Sequence, residues 1–121
     1  MFTKKSSSIE SIPNKEQKDE VARLKAKYPD RIPCLVKKNG RDKTLPELDK
    51  SKFLTPEDLS FSQFSYVIRK RLKVPPEKAL FFLVNGMMVP GSAILSQVYK
   101  EHQDENGFLL VIYSAESTFG A

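Results

Sequence analysis

Apolar residues recur along this chain with two different periods, and the changes of period mark the elements. Asn14-Lys15-Glu16-Gln17 has the Asn-x-x-Gln spacing of a capping box. Behind it Val21, Leu24 and Tyr28 fall at i, i+3 and i+7, one face of a helix that ends before Pro29. Ile32-Pro33-Cys34-Leu35-Val36 then reads as a strand, and Asn39-Gly40 as a hairpin-type turn. After a polar connection, a second short strand is expected around Lys52-Phe53-Leu54. Ser60-Phe61-Ser62-Gln63 is another capping-box spacing, opening a helix whose apolar stripe is Phe61, Phe64, Val67, Ile68 and Leu72. Pro75-Pro76 closes that unit. A strand over Leu80 to Asn85 follows, then an Asn85-Gly86 turn and a short Met87-Met88-Val89 segment. A small helix is expected from Ser92 towards His102, with Ile94, Leu95, Val98 and Tyr99 inward. "GFLLVIYS", Gly107 to Ser114, is the last strand.

The resulting order is helix, β, β, α, β, short β, short α, β. Periodicity alone gives an α+β fold with a mixed sheet. A hairpin, one long helix across it and a final strand at the centre would make that sheet a β-grasp. Before the first helix, residues 1–13 ("MFTKKSSSIESIP") are polar and serine-rich, and a mobile arm is expected there. Behind the last strand, residues 116–121 ("ESTFGA") form a short tail with glycine next to last. No repeat and no linker divides the 121 residues, which suit one domain.

Composition narrows the function classes. The longest apolar runs have six residues, where a membrane helix needs about 20. No apolar stretch follows the first five residues, so no secretory signal is expected. A single cysteine allows no internal disulfide and fits a reducing compartment. The formal charge of +5 suggests acidic partners, a weak signal taken alone.

Catalytic chemistry finds little to work with. Cys34 and His102 are the only residues of their kinds. A cysteine nucleophile needs a base within hydrogen-bond reach, and Cys34 lies between apolar strand positions, where a packed thiol is the plainer reading. His102 stands among charged residues and reads as a surface side chain. One Cys and one His offer no metal spacing, and the glycines match neither a P-loop nor a dinucleotide fingerprint. The chain is therefore read as a non-enzyme without a cofactor. The basic run Arg69-Lys70-Arg71-Leu72-Lys73 is first of all the solvated face of the long helix. Nucleic acid would want exposed aromatics beside it; Phe61 and Phe64 face the core by spacing, and only Tyr66 is available.

With these elements in place, five segments resemble the ubiquitin-like autophagy modifiers, the family of the GABA-receptor-associated protein and microtubule-associated light chain 3. They are "YPDRIP" (Tyr28 to Pro33), "LDKSKFL" (Leu48 to Leu54), "IRKRL" (Ile68 to Leu72), "ALFFLVN" (Ala79 to Asn85) and "GFLLVIYSAESTFG" (Gly107 to Gly120). They stand in family order over roughly residues 15 to 120, and the connection Lys37 to Pro46 and the "ESTFG" ending are nearer to the light-chain-3 branch. The resemblance implies a ubiquitin-like β-grasp with an additional N-terminal helical segment. Its parts would be the arm at 1–13, the helix and β-grasp domain at 14–115, and a flexible conjugation tail at 116–121.

It also implies a function. A dedicated cysteine protease would remove Ala121, and E1-like and E2-like enzymes would join Gly120 to phosphatidylethanolamine. The protein would then pass from a soluble cytoplasmic monomer to the membrane of an autophagosome or another cytoplasmic vesicle. There it would recruit cargo receptors and adaptors through short aromatic-x-x-aliphatic motifs. By matching position, the aromatic pocket would use Glu20, Leu24, Pro33, Lys52, Leu54 and Phe108. The aliphatic pocket would use Phe53, Thr55, Pro56, Leu59, Phe64 and Val67, with Arg31, Lys50 and Arg69 as charged contacts. Phe64, Val67 and Phe108 could equally be ordinary core. Thr55 stands where the family commonly has a branched apolar residue, which would make the aliphatic pocket more polar. The arm does not reproduce the family's phenylalanine-and-basic pattern, and the "ALFFLVN" surface reads first as a core strand. Two alternatives remain at this point: a β-grasp peptide-binding domain that is never conjugated, and a basic RNA-binding module.

Overall fold

A computed structural model describes residues 14–115. The arm and the tail, Gly120 and Ala121 included, lie outside the described residues. The elements are α1 (Lys15–Lys27), β1 (Arg31–Lys38), β2 (Lys52–Pro56), α2 (Phe61–Leu72), β3 (Phe81–Val84), β4 (Met87–Met88), α3 (Leu95–His102) and β5 (Leu109–Ser114). One sheet runs β2-β1-β5-β3-β4. β5 is parallel to β1 and antiparallel to β3, so the last strand occupies the centre.

Strand parity divides the sheet into two faces. On one, Ile32, Cys34, Val36, Val84, Val111 and Tyr113 pack against Phe61, Phe64, Ile68 and Leu72 of α2 and Leu95, Val98 and Tyr99 of α3. On the other, Leu35 and Phe108 meet Val21 of α1, with Leu110 beside them. Each large apolar side chain so buried contributes roughly 1.5–3 kcal/mol. β1 is covered on both faces, which is why its apolar run is continuous rather than alternating.

The Ser60 capping box forms in both directions. The Asn14 one forms by half: Gln17 N–H donates to Asn14 Oδ1 at 3.1 Å. Buried Asn106 completes it instead, accepting from Asn14 N–H at 2.8 Å and donating to Gln17 Oε1 at 3.0 Å. The adjoining Gly107 has φ +93°, and a Cβ there would stand 2.8 Å from Val21 Cγ1. The loop that leads into β5 thus caps α1 with an amide and seats it on a glycine.

Several expectations are corrected. Val67 leaves the apolar stripe of α2 and is 49% exposed, because the 100° step of the helix carries it past the sheet's edge. α3 starts at Leu95 rather than Ser92; Ile94 is its N-cap residue, bridged to Ser60 and exposed. His102 is half-buried, with Nδ1 3.0 Å from Asn85 Nδ2. Asn85 and Gly86 do turn a two-residue hairpin between β3 and β4, both at positive φ.

Asn39-Gly40 makes no such hairpin, since residues 39–51 connect β1 to β2. Asn39 is instead buried, donating its N–H to Tyr113 O at 2.8 Å and Nδ2 to Ser114 Oγ at 3.3 Å. Asp42 follows in the same turn. Its Oδ1 accepts from Thr44 N–H, Thr44 Oγ1 and Leu45 N–H at 2.8–3.0 Å, and its Oδ2 accepts from Ala115 N–H at 2.7 Å. Desolvation pushes this carboxyl up, but the four hydrogen bonds outweigh it and hold it down at about 2, against an ordinary 3.8.

A depressed carboxyl contributes stability above its unfolded pKa, which is lost as pH falls through the folded one. Asp42→Asn should therefore melt below the wild type above pH 4, and the gap should close as the pH is taken down to about 2. Thermal unfolding at steps between pH 5 and 2 measures it; a constant gap would mean that the charge is not what the turn uses.

Candidate functional site

β2 is an edge strand, and its ladder with β1 fixes which backbone groups it leaves over. Val36 N–H donates to Ser51 O at 2.8 Å, so positions 51, 53 and 55 bond to β1. Lys52 and Leu54 consequently turn their own N–H and C=O outward. Their side chains lie on the α1 face, while those of Phe53 and Thr55 lie on the α2 face.

The residues assigned to the aromatic pocket gather on the α1 face. Glu20 and Leu24 come from α1, Pro33 from β1, and Lys52 and Leu54 from β2, with Leu54 opposite Pro33. Phe108 immediately precedes β5 and is 1% exposed. Asp104 Oδ1 accepts its N–H at 2.9 Å, which fixes the bend into the strand. Lys52 Nζ donates to Glu20 Oε1 at 2.8 Å and stands 5.9 Å from the centroid of the Phe108 ring. This bridge spans from α1 to the edge strand. Both partners are partly solvated, so the pair stabilises the closed arrangement by about 1 kcal/mol or less.

The aliphatic set lies on the other face, along α2. Phe53 and Leu59 are half-buried against the cluster that contains Phe64, and Pro56 is exposed at the end of β2. Phe64 is 2% exposed and belongs to the core, whereas exposed Val67 is on the rim. Thr55, 7% exposed, directs Oγ1 at Cys34 Sγ, 3.6 Å away. Its hydroxyl thus has an inward partner, so the polarity expected of this pocket is directed into the core.

The charged residues divide. Arg31 opens β1 and is exposed; Lys50 stands 5.0 Å from the centroid of the Phe53 ring. Arg69 Nη1 donates to Pro75 O and Lys78 O at 3.1 and 3.3 Å, which commits it to the connection between α2 and β3. Arg71 was not among the contacts assigned from sequence. It lies 5.5 Å over Phe53 and grips both carboxylate oxygens of Asp49 at 2.9 and 3.1 Å. The signal was present, for Phe64, Val67 and Arg71 recur at i, i+3 and i+7.

Chemistry elsewhere is sparse. Burial pushes the Cys34 thiol up to about 12, with the Thr55 hydroxyl opposing it weakly, and the side chain has no solvent exposure. Its hydrogen-bond neighbours are Ile32 O and Thr55, while His102 is engaged with Asn85. Among the described residues no group of His, Cys, Asp or Glu could hold a metal ion. Exposed Tyr66 has Lys70 5.5 Å over its ring, a lone aromatic beside charge rather than a stacking platform.

A mixed sheet with its last strand central and one long helix laid across it defines a ubiquitin-like β-grasp, here carrying α1 on the opposite face. Residues 16–120 match the family model described as autophagy protein Atg8, ubiquitin like. Autophagy-related protein 8a of Arabidopsis thaliana is 47% identical over 117 residues, covering 97% of this chain and 95% of that one. Autophagy-related protein 8 of Vanderwaltozyma polyspora is likewise 47% identical over 117 residues, covering 97% and 98%. The crystal structure of Trypanosoma brucei ATG8 superposes with a TM-score of 0.81 at 38% identity, over 96% of this chain and all of that one. The chain belongs to the Atg8 family, and it is a ubiquitin-like modifier of autophagy. Conjugation to lipid and recognition of short peptide motifs are that family's role.

Because the Thr55 hydroxyl faces Cys34, Thr55→Val should leave the ranking of motif peptides with Leu, Ile or Val at the aliphatic position unchanged. Stability should move by about 1 kcal/mol or less, the net worth of one hydrogen bond. Competition binding across such a peptide set, with urea unfolding alongside, checks both; a reordered ranking would show that the hydroxyl reaches the pocket.

Proposed function

We propose that the free edge of β2 takes up an extended aromatic-x-x-aliphatic segment as an added strand, with the aromatic residue on the α1 face and the aliphatic one on the α2 face. The observation that carries this is parity. In a strand, residues i and i+3 point to opposite sides about 10 Å apart, and the two candidate residue sets lie on opposite faces of the sheet beside one edge. The outward N–H and C=O groups of Lys52 and Leu54 supply the backbone pairing. The Glu20–Lys52 bridge is weak enough to part for the aromatic ring. Lys50 and Arg71 stand over Phe53, where they would meet acidic groups in or beside the motif; Arg31 adds charge at the far end of the same edge.

The energetics favour a reversible contact. Two anchors give roughly 1.5–3 kcal/mol each, and a few hydrogen bonds add about 1 kcal/mol apiece. Ordering the peptide takes several back, so the contact is no tighter than micromolar, the level that about −8 kcal/mol gives. Many copies on one membrane would multiply it.

The membrane attachment proposed is phosphatidylethanolamine on Gly120. It follows cleavage after that residue by a processing cysteine protease, which removes Ala121, and transfer by E1-like and E2-like enzymes. The family match reaches residue 120 and stops there. No helix among the described residues is long and apolar enough to cross a membrane, and two acyl chains at ~0.8 kcal/mol per buried CH₂ would anchor the domain stably. On this reading the chain is a substrate and a recruiter rather than an enzyme, cytoplasmic as a monomer and then held on autophagosomal or other vesicle membranes. Residues 1–13 act as a separate arm and 116–121 as the conjugation tail.

Expressed in cells with active conjugation machinery, the protein should gain a phospholipid-sized mass in the membrane fraction, and Gly120→Ala should not. A chain that stays soluble and unmodified there would leave only the peptide-binding domain. Separately, Lys52→Glu should weaken an aromatic-x-x-aliphatic peptide about tenfold by calorimetry, through repulsion from Glu20 and loss of positive charge at the edge. Unchanged affinity would remove the peptide from this edge.

A further inference from the structure

The turn at residues 39–45 bonds to the end of β5 more heavily than a surface connection requires. Asn39 N–H donates to Tyr113 O, and Asn39 Nδ2 donates to Ser114 Oγ. Asp42 N–H donates to Asn39 O at 2.9 Å, which sets the carboxylate beside the strand's end. Oδ2 then accepts from Ala115 N–H at 2.7 Å, a separation of 73 residues in sequence. Oδ1 is held by Thr44 and Leu45, so the side chain is braced from its own turn before it reaches across.

Ala115 is one residue past the ladder, whose last pairing is Phe81 with Ser114. It is half-buried against the main core, alongside which the strand ends. The bond to Asp42 is thus the last backbone restraint among the described residues. A charged acceptor makes it one of the stronger kinds of hydrogen bond, and the lowered pKa of Asp42 agrees with a carboxylate that stays ionised throughout the physiological range.

Gly120 lies five positions after Ala115 in sequence. A fully extended run of that length reaches at most about 17 Å. Releasing Ala115 would add only one residue, or about 3.5 Å, to that reach. The restraint therefore does little to reach and much to direction, because it sets the point and heading from which the chain leaves the sheet.

We infer that Asp42 is a positioning residue for the processing and conjugation of this chain: by holding the Ala115 N–H, it aims the C-terminal segment into the enzymes that act on Gly120. The inference rests on the reading that Gly120 is the conjugation site. An enzyme that grips the folded domain while threading the tail gains from a tail whose first residue is already fixed, since that backbone freedom need not be lost on binding. Asp42 touches no reacting atom. Its part is played five residues away.

The test follows removal of Ala121 from the full chain by a processing cysteine protease of an Atg8 conjugation system. The reaction is hydrolysis of the Gly120–Ala121 peptide bond, in which water supplies hydroxide to the Gly120 carbonyl carbon and a proton to the released amine. Asp42→Ala removes the acceptor. Ala115→Pro removes the donor and leaves the 39–45 turn intact, so the pair separates aiming from damage to the turn. Each should lower kcat/KM about tenfold, the worth of fixing one residue's backbone. If both act through the same bond, the double variant should be no worse than the poorer single one. Affinity for an aromatic-x-x-aliphatic peptide should hold within about twofold, which global damage would not allow.

Amide exchange at Ala115 should be slow in the wild type and fast in Asp42→Ala. Fast exchange in the wild type, single variants cleaved at the normal rate despite lost protection, or losses that multiply in the double variant would each overturn the positioning role. A wild-type chain left uncut would fail differently: it would take down the conjugation reading, and this inference with it.

Discussion

The strand that ends the folded part of the chain is the middle strand of the sheet. β5 pairs with β1 on one side and β3 on the other, so the two halves of the sheet join only through it. Until it inserts, β1–β2 and β3–β4 are separate ribbons, and two-stranded ribbons are marginal alone. The parallel β1–β5 pairing spans more than 70 residues of sequence, a non-local contact of the kind that slows folding. This topology also distributes the functional surfaces. A central last strand leaves the edges to β2 and β4. The β4 edge is two residues long, one of the ways proteins blunt an edge. The β2 edge is longer, and it is flanked by helices on both faces.

Those helices make one edge into two unlike surfaces. α2 packs on the main core, so most residues beside it are buried or half-buried parts of one layer, while Val67 and Pro56 at that rim are solvated. α1 is attached more sparingly. Val21 packs on Leu35 and Phe108, Asn106 caps the helix, and Glu20 reaches Lys52. Gly107 lets Val21 approach so closely that no other residue would fit there without displacing it. The aromatic side of the proposed groove would therefore be built from a helix held at a few points, and the aliphatic side from the core itself. An arrangement of that kind would let the first pocket adjust to its occupant while the second sets the register.

Much of this was legible beforehand because period and capping are local properties. The order of eight elements, the Ser60 capping box, the Asn85-Gly86 hairpin and the buried thiol all follow from residues close in sequence. What escaped was decided by distant partners. Asn39-Gly40 looks like a hairpin turn, yet Asn39 is drawn into the end of β5 by Tyr113 and Ser114, and the connection lengthens. Asn14-x-x-Gln17 looks like a complete capping box, yet Asn106 takes the reciprocal bond. Val67 fits the apolar stripe by spacing but overhangs the sheet. Among the candidate site residues, the assignment to two faces could be read from alternation in Lys52-Phe53-Leu54-Thr55. Which of Arg69 and Arg71 attends Phe53 could not, because Arg69 is claimed by carbonyls of the Pro75–Lys78 turn, far from any charge pattern.

The charge around the groove has its own logic. Two of its cations are already paired within the chain, Lys52 with Glu20 and Arg71 with Asp49, and both pairs are substantially exposed. Solvated pairs of this kind hold little net energy, so an incoming carboxylate exchanges one weak partner for another rather than meeting a bare charge. The gain from acidity is correspondingly small for any single group, and it grows only when the aromatic and aliphatic anchors hold the segment in register beside the cations. Self-pairing also keeps the free edge from attracting every polyanion that a basic protein of charge +5 would otherwise collect. On the proposed reading, discrimination at this edge comes from requiring strand pairing, two anchors on opposite faces and matched charge together, with none of the three strong enough to bind alone.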